Sequence, residues 1–426
     1  MNLLSGKIFK HINILRRHST RIYFSSIIAP FIPLNKKRVA IVVNHRVPLS
    51  GNLKIVADEL LNRGKAEVLI YKDGPVPKKT IDTLEQAGAI VLTKFSIRNL
   101  ISLLQSSTII MGHGVGDAYI KHARKGRRII NLWHGVTLKK IELLVGNKGI
   151  SQDAQDKSTR RAQEDGALYD YMIASNPHDK RIMAQAFNMP LEKVLDCGLP
   201  RFDYLRDPTS FSTDMVADSD HFLEKVKTQK IIAYTPTFRE TAPSPLSEIK
   251  GETLDGLRTF CEKYDCKIAI RPHPYDLAAL DALLSRIDGD FILDASSRIY
   301  SEPAILLQHA DMLITDYSSI WVDYLFTERP IFALVPDLEH YISNERGFIN
   351  DFRSLLPGPI CKSWDAVLTE MALRINCQQS AQARASEQTR RNLANERLLP
   401  SDDKNSYTDK LLEILAEEDA LFTRSN

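Results

Sequence analysis

Acidic residues are missing from the start of this 426-residue chain: residues 1–57 carry ten Lys or Arg, and the first acid is Asp58. The whole chain sums to only +3, so the remainder holds 46 basic against 53 acidic residues, a net of −7. A basic head on a mildly acidic body points to a local anionic partner and speaks against a general nucleic-acid surface. Cysteine is scarce: Cys197, Cys261, Cys266, Cys361 and Cys377 are odd in number and form no CxxC pair. That argues against a disulfide frame or a zinc site and predicts reduced, buried thiols in the cytoplasm. Long apolar runs are missing too. The most apolar stretch, 23–34, is shorter than the roughly 20 residues a membrane span needs, and Pro30 and Pro33 interrupt it. The basic start lacks a small-residue cleavage site behind a clean apolar core, so no signal peptide is expected. There is no HExxH, EF-hand or paired-carboxylate pattern, and no P-loop, so neither a bound metal nor a glycosidase site is expected.

What is present is an ordinary globular composition, 43% hydrophobic and 26% charged, at a length that suits two domains. Short apolar runs alternate with helical stretches, the pattern of parallel α/β layering. Strands are expected at 39–44, 67–72, 89–93, 108–112, 128–133 and 171–175, then at 230–235, 267–271, 291–293, 312–315 and 330–335. Almost wholly apolar strands of this kind are buried on both faces by helices. Between the two series, 207–227 is polar and rich in Asp, Ser and Thr, which sets a boundary between domains at 38–206 and 207–426. The tail beyond about residue 363 reads as charged helix. Residues 1–37 read as a surface anchor. Leu4, Ile8, Ile12 and Leu15 share one helical face, Lys7, Lys10, Arg17 and Arg21 lie nearly opposite, and Leu3 and Ile14 fall on the basic side. Behind them come the apolar run 23–34 and Lys36, Lys37 and Arg38. The alternative is a helix docked on the protein's own body.

In open parallel sheets ligands bind beyond the carboxyl ends of the strands, and the reactive residues cluster there. Trp133-His134-Gly135 places a histidine at a strand end with a glycine where backbone must turn, and Lys139 and Lys140 follow. Arg271-Pro272-His273-Pro274 fixes a second histidine between two prolines. Either histidine could be catalytic or structural. Thr315-Asp316-Tyr317-Ser318-Ser319 opens a helix over 320–327, where the hydroxyls could cap the helix or cradle phosphate. Arg239, just beyond the strand 230–235, and Arg346 offer forked donors suited to diphosphate, or surface ion pairs. The loop Gly112-His113-Gly114-Val115-Gly116 is only weakly like a dinucleotide fingerprint, because its third glycine is misplaced.

Seven blocks in order resemble the CDP-glycerol glycerophosphotransferase family, the teichoic-acid primases and polymerases and their relatives in capsule synthesis. They are Ser50-Gly51-Asn52; Trp133-His134-Gly135 with Leu138-Lys139-Lys140; Gly198 to Asp203; Tyr234 to Arg239; Arg271 to Pro274; Ile314 to Ser319; and Arg346 to Phe348 with Leu356 to Pro359. The chain departs from the family pattern at Val136-Thr137, where Thr-Pro is usual, and at Glu142, where a glycine is expected. The resemblance implies a GT-B fold, two Rossmann-like domains facing a cleft, with no cofactor and no need of a metal. It implies transfer of glycerol phosphate from CDP-glycerol, or of ribitol phosphate from CDP-ribitol, to a lipid-linked or polymeric acceptor with release of CMP. His134 and His273 would be the essential pair. His134 is assigned as the base, and His273, cationic when donor is bound, as the group stabilising phosphoryl charge; the sequence leaves exchange of these roles open. Thr237, Arg239, Arg271, Thr315, Asp316, Ser318, Ser319 and Arg346 would hold the CDP portion, with Asn52, Lys139 and Arg201 on the acceptor side. The anchor would hold the enzyme at the inner leaflet of the cytoplasmic membrane, where other envelope-polymer enzymes are possible partners. Two other readings remain open: a transferase or epimerase using UDP- or GDP-sugars on the same fold, and a non-catalytic assembly protein.

Overall fold

A strand covered on both faces needs apolar side chains at every position, and the chain supplies such runs twice. In a computed structural model, which describes residues 19–74, 76–121, 126–145, 152–239, 243–344, 347–401 and 405–424, these runs form two sheets. The first contains β1 (Asn35–Val43), β2 (Glu67–Lys72), β3 (Ile90–Thr93), β4 (Ser106–Met111), β5 (Arg128–Asn131), β6 (Tyr171–Ile173) and β7 (Val194–Leu195). Their order is β3-β2-β1-β4-β5-β6-β7. The second contains β8 (Lys230–Thr235), β9 (Cys266–Ile270), β10 (Ile292–Asp294), β11 (Met312–Thr315), β12 (Ile331–Leu334) and β13 (Ile360–Cys361), in the order β10-β9-β8-β11-β12-β13. Every strand pair is parallel. In each sheet the order reverses between two central strands, β1 and β4 or β8 and β11, and a crevice opens beyond their carboxyl ends. All eleven expected strands form. The two that the sequence did not signal, β7 and β13, are two-residue edge pairs too short to show a period.

The polar stretch 207–227 is not an open linker, since most of it is the helix Thr213–Val226, which buries Met215, Phe222 and Val226. The charged tail is helical, and it returns to the first sheet. Asp203 accepts hydrogen bonds from Ser406 Oγ (2.7 Å), Tyr407 N (2.9 Å) and Thr408 N (2.9 Å), which caps the helix Tyr407–Ala416 from outside. Arg63 pairs with Asp409 at 2.6 Å, and Ser175 Oγ donates to Leu398 O at 2.8 Å. One apolar cluster runs from Leu53 and Phe202 through Trp321 and Leu325 to Leu411 and Leu412, so the two sheets share a core.

Of the expected surface anchor, residues 1–18 lie outside the described residues. Residues 19–28 are helical, and one side of that helix docks on the body. Arg21 donates to Asp73 (2.5 Å) and to Tyr119 Oη (2.8 Å). The basic cluster 36–38 opens β1 instead of extending the anchor, and Arg38 Nε donates to Glu67 at 2.8 Å. Among the described residues no helix is long and apolar enough to cross a membrane. Four cysteines are buried as expected. Cys377 is exposed, because it lies in the turn after the helix Trp364–Ile375.

Candidate active site

β5 delivers its carboxyl end to the crevice, and Asn131, its last residue, ties two loops together. Its Nδ2 donates to His113 O at 2.7 Å, and its Oδ1 accepts from Trp133 N at 2.8 Å. Trp133 is held at φ +47°, a left-handed conformation that few bulky residues adopt and that turns the chain sharply into His134. The buried Asn52 amide donates to Leu132 O (2.8 Å) and Trp133 O (3.3 Å). His134 Nδ1 lies 3.1 Å from Gly112 O. A carbonyl can only accept, so Nδ1 carries a proton, and in the neutral ring Nε2 then holds the lone pair. Gly135 is required by close approach: a Cβ there would stand 3.0 Å from Ser319 Oγ, on the other sheet's side of the crevice.

The second sheet brings up the opposite wall. Tyr275 N donates to His273 Nδ1 at 3.3 Å, so in this ring Nδ1 is the acceptor and Nε2 carries the proton. The two histidines therefore hold complementary tautomers, one offering a lone pair and the other an N–H. Burial lowers the pKa of His273, and the charge of Lys139 lowers it further, so without a bound anion the ring is neutral. Arg239 lies between Asp316 (2.9 Å) and Asp337 (3.3 Å), 4.9 Å over the Tyr317 ring. Burial opposes its charge, but the two carboxylates outweigh that and raise its pKa.

The crevice between these walls, about 470 Å³, is lined by His134, Lys139, Thr237, Arg239, Arg271, His273, Ser318 and Ser319 among others. Eight of the thirteen residues expected from the sequence thus meet in one cavity of ligand size. Arg271 lines it but its guanidinium is committed to the carbonyls of Ala295 (3.1 Å), Tyr300 (2.7 Å) and Ser301 (3.0 Å), and burial lowers its pKa to about 10. Thr315 and Asp316 sit behind the wall. Thr315 Oγ1 donates to Thr235 O at 3.0 Å, and Asp316 accepts from Thr237 N at 3.0 Å. The helix expected over 320–327 is a short α-helix, Ile320–Tyr324, followed by the 3-10 turn Leu325–Thr327, and Ser318 Oγ accepts from Ile320 N at 3.3 Å. Arg346 lies outside the described residues.

Asn52 and Arg201, expected to face an acceptor, instead build the His134 loop. Asn52 Oδ1 accepts from Arg201 N (3.1 Å), and the Arg201 guanidinium donates to His134 O (2.7 Å) and to Asp323 (2.7 Å) on the other side of the crevice. Gly51 N donates to Glu302 at 2.6 Å, and Ile349 N donates to Leu138 O at 2.9 Å, so further bonds join the two sides. Asn131, Asp323, Asp337 and Glu302 were not singled out in the sequence, since each is an acid or amide with at least one partner in another segment. Among the described residues no group of three or more His, Cys, Asp or Glu is arranged to hold a metal ion.

Two parallel sheets whose carboxyl edges face each other across a crevice lined with histidine, lysine and arginine define an α/β protein with a GT-B-like arrangement. The chain belongs to the CDP-glycerol:poly(glycerophosphate) glycerophosphotransferase family, whose model matches residues 23–416. It is 27% identical to the teichoic acid glycerol-phosphate transferase of Staphylococcus aureus, over 78% of this chain and 83% of that protein. It is likewise 27% identical to the teichoic acid ribitol-phosphate primase of Bacillus spizizenii, over 79% and 82% respectively. The fold is similar to that of the wall teichoic acid polymerase TagF, with a TM-score of 0.75 at 20% identity and 97% coverage of both chains.

Burial lowers the pKa of His113, His273 and His309 below the ordinary 6.5; Asp117 pulls His113 partly back, whereas Lys139 and Arg329 deepen the shift at His273 and His309. Folding then favours the neutral rings, so their contribution to stability is present above 6.5 and is lost as pH falls through the folded values. The thermal midpoint is expected to drop on acidification below 6.5, and His309→Phe, remote from the crevice, to shed part of that drop. An identical pH dependence in His309→Phe would contradict the assignment.

Proposed function

We propose that the chain transfers an alditol phosphate, glycerol phosphate in the first instance, from a CDP-activated donor to an acceptor hydroxyl in the synthesis of a teichoic-acid or capsule-type polymer. The observation that carries this reading is the pair of complementary histidine tautomers on facing walls of one crevice. The acceptor oxygen forms a bond to the phosphorus bearing the alditol, the bond from that phosphorus to the bridging oxygen breaks, and CMP leaves with that oxygen. His134 Nε2 takes the hydroxyl proton, because an alcohol is a weak nucleophile and a neutral imidazole is a base suited to neutral pH. His273 Nε2–H donates to the phosphoryl group or the leaving phosphate, and the incoming negative charge raises its pKa toward the imidazolium. Thr237, Arg239, Lys139, Ser318 and Ser319 supply donors and charge to the diphosphate. In this reading the second domain, 207–426, holds the donor and the first, 38–206, the acceptor.

Relatives named for glycerol phosphate and for ribitol phosphate resemble the chain at the same identity, so CDP-ribitol is the second reading. The test is CMP release from CDP-glycerol and from CDP-ribitol with a lipid-linked or oligomeric acceptor. Acceptor-dependent CMP is expected from one donor and to fall by about 10²- to 10⁴-fold in His134→Ala or His273→Ala. Release that survives both substitutions, or that requires a UDP-sugar, would contradict the proposal.

The enzyme is further proposed to work at the cytoplasmic face of the membrane, next to a lipid-linked acceptor. The helix 19–28 and the turn Ala29–Phe31 turn Tyr23, Phe24, Ile27 and Phe31 outward, with Phe31 84% exposed, and the preceding sequence is rich in Lys and Arg. An apolar face next to basic residues binds an anionic interface. Replacing Tyr23, Ile27 and Phe31 together by Ser is expected to reduce co-sedimentation of the full chain with anionic vesicles. Undiminished sedimentation would remove the helix from that role.

A further inference from the structure

His134 is exposed, yet its ring has two aromatic neighbours. The Trp133 indole lies 4.3 Å away, tilted by 36°, and the His113 imidazole lies 4.5 Å away and within 5° of parallel. His113 comes from the glycine loop after β4. Gly112, just before it, supplies the carbonyl that His134 Nδ1 uses. A side chain at Gly112 would crowd Leu53, since a Cβ there would stand 3.3 Å from Leu53 Cδ1. Asn131 then binds the carbonyl of His113 and the amide of Trp133 with one side chain, so the two loops that carry the stacked rings are locked in register. His134 borders two cavities, the donor crevice and a second of about 810 Å³ lined by the loops after β1, β4 and β5; His113 borders only the second.

We propose that His113 is a positioning residue for His134, its ring forming one side of a stack that keeps the His134 imidazole in one plane and one tautomer with Nε2 directed at the reacting hydroxyl. The inference rests on the reading of His134 as the base. A ring held by a single hydrogen bond still turns about that bond, whereas a parallel ring stacked 4.5 Å away, with the indole at 4.3 Å, opposes that rotation. His113 serves through its shape: its buried Nδ1 makes no hydrogen bond among the described residues, so a flat ring without that nitrogen fills the same place. Burial also keeps His113 neutral, despite the nearby carboxylate of Asp117, and so avoids two stacked cations once His134 takes its proton. Asp117 is itself held by Asn44, whose Nδ2 lies 3.0 and 3.1 Å from its two oxygens.

The experiment compares wild type, His113→Ala and His113→Phe in acceptor-dependent CMP release, with the tautomer of His134 read from histidine ¹⁵N shifts in the same full-length proteins. His113→Ala is expected to lower kcat by about tenfold or more while leaving KM for the CDP-donor unchanged, since a small misplacement of a reacting group costs rate and not donor binding. The ¹⁵N spectrum of that variant is expected to show mixed His134 tautomers. His113→Phe restores the stack and is expected to recover most of kcat and the single tautomer. Wild-type kcat and a single tautomer in His113→Ala would overturn the proposal, and so would a His113→Phe as impaired as His113→Ala. A His134→Ala variant run alongside separates the two claims: activity persisting there sinks the reading of His134 as base, whatever His113 does.

Discussion

Arg201 holds the crevice together. Its guanidinium donates to the carbonyl of His134 on one side and to the buried Asp323 on the other, while its own amide is received by Asn52. Burial raises the pKa of Asp323, and the charge of Arg201 opposes that rise. Breaking such a pair from one side leaves an uncompensated charge at a cost of about 3–5 kcal/mol. The bridge therefore sets where the His134 loop stands relative to the helix Ile320–Tyr324 and the Ser318-Ser319 hydroxyls. The apolar cluster shared by both sheets and the tail helix capped by Asp203 stiffen the frame behind it. Little of this bonding faces the cavity, and most of the side chains that do face it come from loops that these bonds hold.

The crevice is built from opposed charges that already have partners. Arg239 lies between Asp316 and Asp337, and Arg271 is spent on three carbonyls of the segment after β10. A diphosphate entering such a site meets cations whose positions are already fixed, which lowers the cost of ordering them on binding. The two histidines are prepared in the same way, each tautomer being set by one backbone group, Gly112 O for His134 and Tyr275 N for His273.

Much of this was legible in the sequence because strand ends are legible. Runs apolar at every position gave eleven of thirteen strands, and residues just beyond them, such as His134, Thr237 and His273, have to lie at the carboxyl edge of a parallel sheet. Side-chain direction was not legible. Thr315 closes β11 beside Ser318 and Ser319 in sequence, but its hydroxyl points to β8 and bonds Thr235. Asn52 and Arg201 carry groups that suit a polar ligand as well as a backbone carbonyl, and only the approach of Leu132, Trp133 and His134 from distant segments decides between them. For the same reason the contribution of His113 stayed hidden in a glycine loop that read as a poor dinucleotide fingerprint.

The reaction turns on the division of labour between the two rings. Histidine ¹⁵N shifts of the wild-type protein, recorded above the titration range of histidine, test it most directly. A proton is expected on Nδ1 of His134 and on Nε2 of His273. The same tautomer in both rings, or the reverse assignment, would contradict it.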